Sequence, residues 1–571
     1  AAGVGGVILL GGSAAELRLR CAQLRRWASA PLLLCADVEE GVGQRFEGAS
    51  WLVPPLALGR LAGRDPARAE ALAERYGRCT GRQARLVGLN WVLGPVCDVN
   101  NNPANPVINV RAWGETPEVA GSLAAAFVRG CQGEGVLACA KHFPGHGDTS
   151  SDSHLELPLL PHSRARLEAV ELPPFRAAIG AGVAAVMTAH LLLPALDPER
   201  PATLSAAVLS QLLRADLGFG GLVVTDALVM EAITAHHGPA EAAVLAFEAG
   251  ADLILMPADA DAAIDGLLQA MASGRISQER LNASLERRHQ ALARCSALPA
   301  QPQPEPLEAV LEGLEQLISP EELALSRELL QLSLDAPCGR GAEAGSQAGE
   351  PGGLPGEPEP AALSAARVPS SVQALQNSGH AAETIAGETG AIEAIAEEAG
   401  AGQSTPGQRT APPLLPPGPG VNLIRLDTQL NAPQLPAMAP ALLRPAGAGY
   451  TATVLDGRSP SPWSSDPAAP LALERLAAGP VLLQLFVRGN PFRGSAGGDE
   501  PWPAAVQQLL AAGRLAGLAV YGSPYLWSSL QPLLPPELPA AYSPGQMPQA
   551  QAVLLEQFGL AAAALEGGFT D

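Results

Sequence analysis

The sequence almost lacks lysine: Lys141 is the only one, although the 571 residues contain 36 lysines and arginines together. Against these stand 57 acidic residues, and the net charge of −21 opposes binding to phosphate backbones and anionic lipid. We therefore expect no nucleic acid as a partner. In a chain that otherwise uses arginine, the single lysine points to a position that needs an ammonium group.

Long hydrophobic runs and closely spaced cysteine pairs are also missing. No apolar run reaches the roughly 18 to 20 residues of a membrane helix, so we predict no membrane span. The eight cysteines form no C-x-x-C pair, and several lie inside apolar runs such as LLLCAD. This pattern is typical of small buried side chains in a reduced protein. We expect a cytoplasmic protein, although the chain begins without Met and a targeting segment could precede it.

Short apolar runs alternate with helix-like stretches from the start of the chain to about residue 298. Seven runs are typical of strands buried on both faces, and their alternation with helices indicates an α/β fold with a parallel sheet. They lie at 6–10, 32–37, 91–99, 136–142, 183–190, 222–228 and 252–257. We predict a (β/α)8 TIM-type barrel over residues 1–298, with its first strand missing or lying upstream. A doubly wound open sheet is the alternative, but no G-x-G-x-x-G turn follows the first run.

Three further segments follow the predicted barrel. Residues 299–337 are predicted to be a helical connector, because Ser319, Pro320 and Glu322 suit the N-cap, first and third positions of a helix. Residues 338–420, rich in Gly, Ala, Glu, Pro and Ser, predict a disordered low-complexity linker. Residues 421–571 regain apolar periodicity and predict a smaller, sandwich-like α/β domain. This last segment contains no histidine, so we assign any histidine chemistry to the barrel.

Polar residues gather where the predicted strands end, and they include Asp37, Asp98, Lys141 with His142, His190 and Asp226. Because the active site of a TIM barrel lies at the C-terminal ends of its strands, these residues mark the candidate site. Asp226 is the candidate nucleophile, since a carboxylate at the end of a buried strand is costly unless function retains it. An equally good interpretation of Asp226 from the residues alone is a helix N-cap.

The stretch KHFPGHGDTSSDSHLELP, residues 141–158, holds three of the nine histidines. One interpretation is a metal site on a loop, with ligands drawn from His142, His146, Asp148, Asp152 and His154. The proline and glycines of the stretch exclude the helical H-E-x-x-H spacing. The other interpretation pairs Asp152 with His154, so that the carboxylate orients an imidazole that acts as general acid and base.

Taken together, KHFPGHGDTSSDSHLELP and LVVTDALVM resemble the family 3 glycoside hydrolases, and specifically their bacterial β-N-acetylglucosaminidase branch. In that branch the histidine of a D-S-H loop replaces a carboxylate as acid/base. Three more stretches are similar to the family: CADVEEGVGQRF, GPVCDVNNNPANPVINVRAWG and VMTAHLLLPALD. The resemblance spans most of residues 3–298 and is weaker in the second domain, chiefly around AVYGSPYLW.

The resemblance implies a retaining exo-glycosidase that hydrolyses terminal β-linked N-acetylglucosamine, with peptidoglycan-derived muropeptide fragments as substrates and no cofactor or metal. It implies Asp226 as nucleophile, His154 as acid/base and Asp152 as its partner. The residues it implies for binding the sugar are Asp37, Arg111, Lys141 and His142. The chain departs from the family at Glu40-Gly41-Val42, where the family often has Gly-Gly-Arg.

Two alternatives remain open at this point. A metal-dependent TIM-barrel hydrolase would use the same histidines. A β-glucosidase of the same family would draw its acid from a carboxylate elsewhere, which the D-S-H loop argues against. His146, Asp148 and His190 are expected to support the loop and strands and not to touch the substrate.

Overall fold

The computed structural model describes residues 4–295, 311, 313–334, 414–427, 433–467, 469–488 and 500–560. These residues fall within one compact unit formed by residues 1–339 and 412–571. Most of the predicted linker lies outside the described residues, so its disorder stays a prediction, as do the domain boundaries at 298, 337 and 420.

The seven apolar runs of the first domain form one parallel series. Strand Gly6–Ile8 pairs with Leu33–Ala36, which pairs with Trp91–Val92. Strand Cys139–Phe143 pairs with Ala185–Thr188, which pairs with Leu222–Val224. Parallel bridges from Trp91 to Leu137 and from Val224 to Leu253 connect these two sheets and add the seventh segment. An eighth strand of the series is not found among the described residues. A small parallel pair, Gly12–Ser13 with Phe46–Glu47, was not predicted.

Side chains of these strands alternate between two environments, as the period of two in a strand requires. One set forms an inner cluster and includes Leu33, Cys35, Trp91, Cys139, Met187 and Val224. The intervening residues pack with the surrounding helices and include Leu34, Ala36, Val92, Ala140, Val186 and Val223. Both faces of the strands are therefore buried, which explains their nearly continuous apolar runs.

Helices alternate with the strands of the first domain. The longer α-helices are Ala14–Trp27, Pro66–Leu86, Pro117–Gly133, Pro173–Gly180, Pro239–Ala249, Ala260–Ala272 and Gln278–Arg294. The shorter ones are Leu56–Ala62, Arg164–Arg166 and Glu231–Thr234, and two segments, Leu167–Glu171 and Ala207–Asp216, are π-helical. Hydroxyl or carboxylate N-caps begin several of the longer helices, and they include Ser13, Asp65, Thr116, Asp259 and Ser277.

The connector contains the predicted helix, Pro320–Ser333. Ser319 and Glu322 form a complete capping box, which confirms the predicted start of this helix. Glu322 is also buried against the barrel, where its carboxylate lies 3.0 Å from the Arg82 guanidinium. The connector helix is thus packed onto the first domain.

The C-terminal domain is a five-stranded parallel sheet with helices on both faces. Its strand order is Tyr450–Leu455, Gly420–Leu426, Val481–Val487, Leu515–Gly522 and Ala540–Ser543. Helices Trp502–Ala511 and Pro524–Leu530 cover one face, and Pro440–Gly447 and Pro548–Glu556 cover the other. The first four strands account for the apolar periodicity that was predicted for residues 421–571. The fifth was not predicted, because AAYS is too short and too weakly apolar to stand out.

The seven cysteines in the described part of the chain are all free, and six of them are buried. This agrees with the expectation of small buried side chains. None of the helices in the described ranges is both long enough and apolar enough to cross a membrane.

Candidate active site

Lys141 lies in the middle of strand Cys139–Phe143, and its side chain takes part in a buried ion-pair network. Its Nζ atom is 2.7 Å from Oδ1 of Asp37 and 2.6 Å from Oε1 of Glu39. The Arg111 guanidinium donates to the same Glu39 through two hydrogen bonds of 2.8 Å. The Lys141 side chain is only 2% exposed and that of Asp37 is 34% exposed, so solvent reaches the network through Asp37.

The charges of this network stabilise one another. Burial disfavours the ammonium of Lys141, but Asp37 and Glu39 outweigh this effect and raise the pKa of Lys141 above its usual range. Burial also disfavours the Glu39 carboxylate, but Arg111 and Lys141 hold the pKa of Glu39 well below its usual range. Both groups are charged at neutral pH. Glu39, which was not predicted as a site residue, therefore joins the lone lysine to Arg111.

Asp98 fixes the loop that follows Lys141. Its buried carboxylate accepts a 2.8 Å hydrogen bond from Nδ1 of His142 and a 2.7 Å bond from the backbone N–H of His146. Burial disfavours the ionised form, but the two histidines and the backbone donor outweigh it, and the pKa of Asp98 is lowered. Because Nδ1 of His142 donates to Asp98, its Nε2 is the ring atom left to contact a ligand.

His146 is buried, and both of its ring nitrogens contact hydroxyl groups of its own loop, as expected for a supporting residue. Its Nδ1 is 2.8 Å from the Thr149 hydroxyl and its Nε2 is 3.0 Å from that of Ser153. Burial lowers the pKa of His146 to about 4, so the imidazole is neutral near pH 7. The neighbouring Gly147 has no room for a side chain, since an added Cβ would lie 1.8 Å from the carbonyl oxygen of Val99.

Asp152 and His154 form the predicted pair. Nδ1 of His154 lies 2.7 Å from Oδ1 of Asp152, and the backbone N–H of His154 donates to the same oxygen at 2.9 Å. Asp152 is fully buried, whereas the His154 side chain is partly exposed. The carboxylate therefore accepts the Nδ1 proton and fixes this tautomer of the ring.

Asp226 follows strand Leu222–Val224 and is surrounded by polar groups. Its backbone N–H contacts the Thr188 hydroxyl at 3.4 Å, and its Oδ1 accepts a 2.8 Å bond from the next residue's N–H. Burial disfavours its carboxylate, but His142 and His190 outweigh this effect and, with a smaller contribution from His154, lower the pKa of Asp226 to about 2. Asp226 is therefore ionised near neutral pH, within electrostatic range of these imidazoles. It caps no α-helix, because the next helix, Glu231–Thr234, begins five residues later.

His190 hydrogen-bonds to groups at the strand ends next to Asp226. Its Nε2 donates to the carbonyl oxygen of Ala227 at 3.0 Å, and its Nδ1 is 2.8 Å from the Thr203 hydroxyl. Burial lowers the pKa of His190. Thr203 also hydrogen-bonds Thr188, whose hydroxyl supports the Asp226 backbone. His190 thus acts in the structure as the support that was predicted.

The five predicted metal ligands are not gathered into one cluster. Within the described ranges, the metal-type groups whose ligand atoms all lie within 4.8 Å of one another belong to Asp148, His162 and Glu171, and only Asp148 was among the predicted ligands. The Arg166 guanidinium already lies 3.2 Å from both carboxylates of this group. His142, His146 and His154 instead bond to protein side chains through the contacts described above.

The fold and the site together define a barrel enzyme with an ionised carboxylate and an Asp–His pair at the catalytic end of its strands. Residues 1–290 match the Glycosyl hydrolase family 3 N terminal domain, and residues 418–558 match the Bacterial Glycosyl hydrolase family 3 C-terminal domain. The chain therefore belongs to glycosyl hydrolase family 3. This membership confirms the predicted family and the prediction of a TIM-type barrel followed by a smaller α/β domain.

Two related proteins and one solved structure to which the chain is similar are named as enzymes that act on N-acetylhexosamines. The chain is 36% identical over 280 residues to a beta-hexosaminidase A of Pseudoalteromonas piscicida, covering 45% of this chain and 46% of that protein. It is 39% identical over 236 residues to a beta-hexosaminidase of Stenotrophomonas maltophilia, covering 41% of this chain and 70% of that protein. A family 3 beta-N-acetylglucosaminidase from a Paenibacillus species matches with a TM-score of 0.66 and 28% identity, over 98% of this chain and 91% of that one. The chain thus spans just under half of the first relative's length.

Proposed function

We propose that this glycoside hydrolase is a retaining exo-glycosidase that releases terminal β-linked N-acetylglucosamine. The observation that carries the proposal is the ionised Asp226 carboxylate at a strand end, within electrostatic range of the Asp152–His154 pair. The proposal is supported by relatives named beta-hexosaminidase and by the Paenibacillus neighbour, whose name states a beta-N-acetylglucosaminidase.

In the first step of the proposed reaction, a carboxylate oxygen of Asp226 attacks the anomeric carbon. The glycosidic C–O bond breaks, and protonated His154 gives its Nε2 proton to the leaving oxygen. The products of this step are the free aglycone and a glycosyl ester on Asp226. Asp152 stabilises the imidazolium before transfer and keeps the ring oriented after it.

In the second step, neutral His154 removes a proton from water, and the resulting oxygen nucleophile attacks the anomeric carbon. The Asp226 ester bond breaks and the carboxylate is restored. Two displacements at the same carbon retain its configuration. The sugar is released with its β configuration, and His154 ends the cycle protonated.

We propose that Asp37, Arg111, Lys141 and His142 bind the sugar. The partly exposed Asp37 carboxylate is suited to accept hydrogen bonds from hydroxyls, and the Lys141 ammonium has one N–H beyond its two carboxylate contacts. Nε2 of His142 is the ring atom that Asp98 leaves for a ligand. Arg111 contributes by holding Glu39 and by the charge it brings to the network.

We propose that the natural substrates are small peptidoglycan-derived fragments that end in β-linked N-acetylglucosamine. We also propose that the enzyme acts in the cytoplasm. The free, buried cysteines suit a reducing compartment. The carbohydrate is the partner; the net charge of −21 disfavours nucleic acid.

Parallel assays with aryl β-N-acetylglucosaminide and aryl β-glucoside test this function. We expect kcat/KM to be far higher for the N-acetylglucosaminide. A preference for the glucoside would make the enzyme a β-glucosidase of the same family and would overturn the proposed specificity.

A further inference from the structure

Glu40, a buried residue next to the candidate site, forms an ion pair with an arginine of the C-terminal domain. Glu40 is 1% exposed and accepts hydrogen bonds from both terminal nitrogens of Arg488, one of them at 3.2 Å. The Trp51 indole N–H donates to the same carboxylate at 2.9 Å. Arg488 follows strand Val481–Val487 of the C-terminal domain, so this ion pair joins the second domain to the barrel.

Arg488 is itself held in place before it reaches Glu40. Its backbone N–H donates to Oδ2 of Asp427 at 2.8 Å, and its side chain is only 18% exposed. The parallel strands Gly420–Leu426 and Val481–Val487 place Asp427 and Arg488 side by side at the same sheet edge. The guanidinium therefore extends from the carboxyl end of the sheet, where the backbone of Arg488 is bonded to Asp427.

A second contact joins the C-terminal domain to another loop of the barrel. The Tyr525 hydroxyl accepts a 2.5 Å bond from the Asn100 amide and donates a 2.6 Å bond to the Glu115 carboxylate. Asn100 and Glu115 lie on either side of Arg111 in the chain. Two of the three barrel segments that carry proposed sugar-binding residues, 37–40 and 100–115, thus contact the second domain.

We propose that the C-terminal domain aligns the sugar-binding edge of the barrel, with Arg488 as a positioning residue that acts through Glu40. This inference rests on the proposed function, because it gives the segment around Glu40 a role in holding the sugar. Glu40 directly follows Glu39 in the chain, and the Glu39 carboxylate contacts both Lys141 and Arg111. A shift of Glu40 would therefore move the carboxylate that organises the two cations.

Electrostatics explains why removing Arg488 would cause such a shift. A buried carboxylate that loses its cation must become protonated or turn toward water, because an unpaired buried charge is strongly unfavourable. The Trp51 indole alone is a neutral donor and replaces only part of the interaction. Either response loses the ion pair that ties Glu40 to the second domain, and Glu40 is only three residues from Asp37.

The test compares Arg488→Ala with Arg425→Ala in the full-length protein. Arg425 is a matched control, because it forms a similarly shielded ion pair with Glu500 inside the C-terminal domain. We expect Arg488→Ala to lower kcat/KM for aryl β-N-acetylglucosaminide roughly tenfold to a hundredfold, mainly through a higher KM. Arg425→Ala should lower the melting temperature without changing KM. Arg488→Lys should restore part of the loss, since an ammonium still neutralises Glu40.

Two further measurements keep the inference falsifiable. The double variant Arg488→Ala/Glu40→Gln should bind substrate better than Arg488→Ala alone, because the buried charge has been removed. If Arg488→Ala does not fold, Arg488→Lys and Tyr525→Phe, which removes only a hydroxyl, carry the comparison. A wild-type KM in variants that fold would overturn the inference.

Activity measurements on the wild type distinguish a failure of the proposed function from a failure of the Arg488 inference. If the wild type hydrolyses a different aryl glycoside, the N-acetylglucosaminidase proposal fails, and the Arg488 comparison is made on that glycoside. A wild-type protein that hydrolyses none of these glycosides would overturn both proposals, since there would be no working sugar site to align.

Discussion

Nδ1 of His154 donates a 2.7 Å hydrogen bond to Asp152, which lies only two positions earlier in the chain. The same carboxylate oxygen accepts the backbone N–H of His154, so one buried group fixes both the ring and the backbone of the loop. In the serine protease triad, the equivalent carboxylate comes from a distant segment. Here the orienting carboxylate and the imidazole lie on the same short loop.

The acid role of His154 predicts a dependence on the leaving group. We expect His154→Ala to lower kcat/KM for a GlcNAc disaccharide by roughly a hundredfold to ten-thousandfold. The loss should be much smaller for an aryl glycoside with an acidic phenol, because that leaving group needs little protonation. Steady-state kinetics with both substrates provides the test, and Asp152→Ala should show a weaker form of the same pattern. Equal losses on both substrates would contradict the acid role.

The activity should depend on the shape of the cationic group at position 141 and not only on its charge. In Lys141→Arg, a planar guanidinium must replace a compact ammonium that is 2% exposed and lies between Asp37 and Glu39. We expect kcat/KM to fall roughly tenfold to a hundredfold with little change in melting temperature. Wild-type kinetics in this variant would show that Lys141 serves only as an ion-pair partner.

The sequence identified most strands of the barrel and the residues at their ends, because buried parallel strands have a clear apolar signature. The Asp152–His154 pair was also predictable, since its partners lie in one short loop. Glu39 and Arg488 were not, because their importance arises from contacts across 72 to 448 positions of the chain. The D-S-H loop and Asp226 are separated by more than 70 residues, and their association was inferred only from the family resemblance.

Buried neutral histidines predict acid sensitivity of the fold. The pKa of His146 falls from 6.5 to about 4 on burial, so the unfolded chain binds more protons than the folded one between these values. Stability should therefore be complete above pH 6.5 and decrease as the pH falls toward 4, with His146 contributing about 3 kcal/mol. His190, whose pKa is also lowered, adds to the loss with the same sign.

Denaturant unfolding between pH 4 and 7.5 measures this effect. We expect His146→Gln to have a shallower pH dependence than the wild type, because glutamine does not titrate. His289→Gln is the control, since His289 is exposed on helix Gln278–Arg294. An unchanged slope in His146→Gln would show that other groups cause the acid sensitivity.

Removal of metal should leave the activity intact. The proposed chemistry uses Asp226 and the Asp152–His154 pair, and His154 is engaged by Asp152. We expect dialysis against a chelator to leave kcat/KM for aryl β-N-acetylglucosaminide unchanged. Activity that disappears on dialysis and returns with zinc would favour the metal-dependent hydrolase instead.

The most direct test of the central claim is to trap the covalent intermediate. A fluorinated N-acetylglucosaminyl fluoride, which forms the glycosyl-enzyme quickly and releases it slowly, is incubated with wild type and with Asp226→Asn, and the digested protein is analysed by mass spectrometry. We predict one added glycosyl group in the wild type, on the peptide that contains Asp226, and none in the variant. A wild type that hydrolyses aryl β-N-acetylglucosaminide but carries the label on another residue, or in which Asp226→Asn retains normal turnover, would contradict Asp226 as the nucleophile.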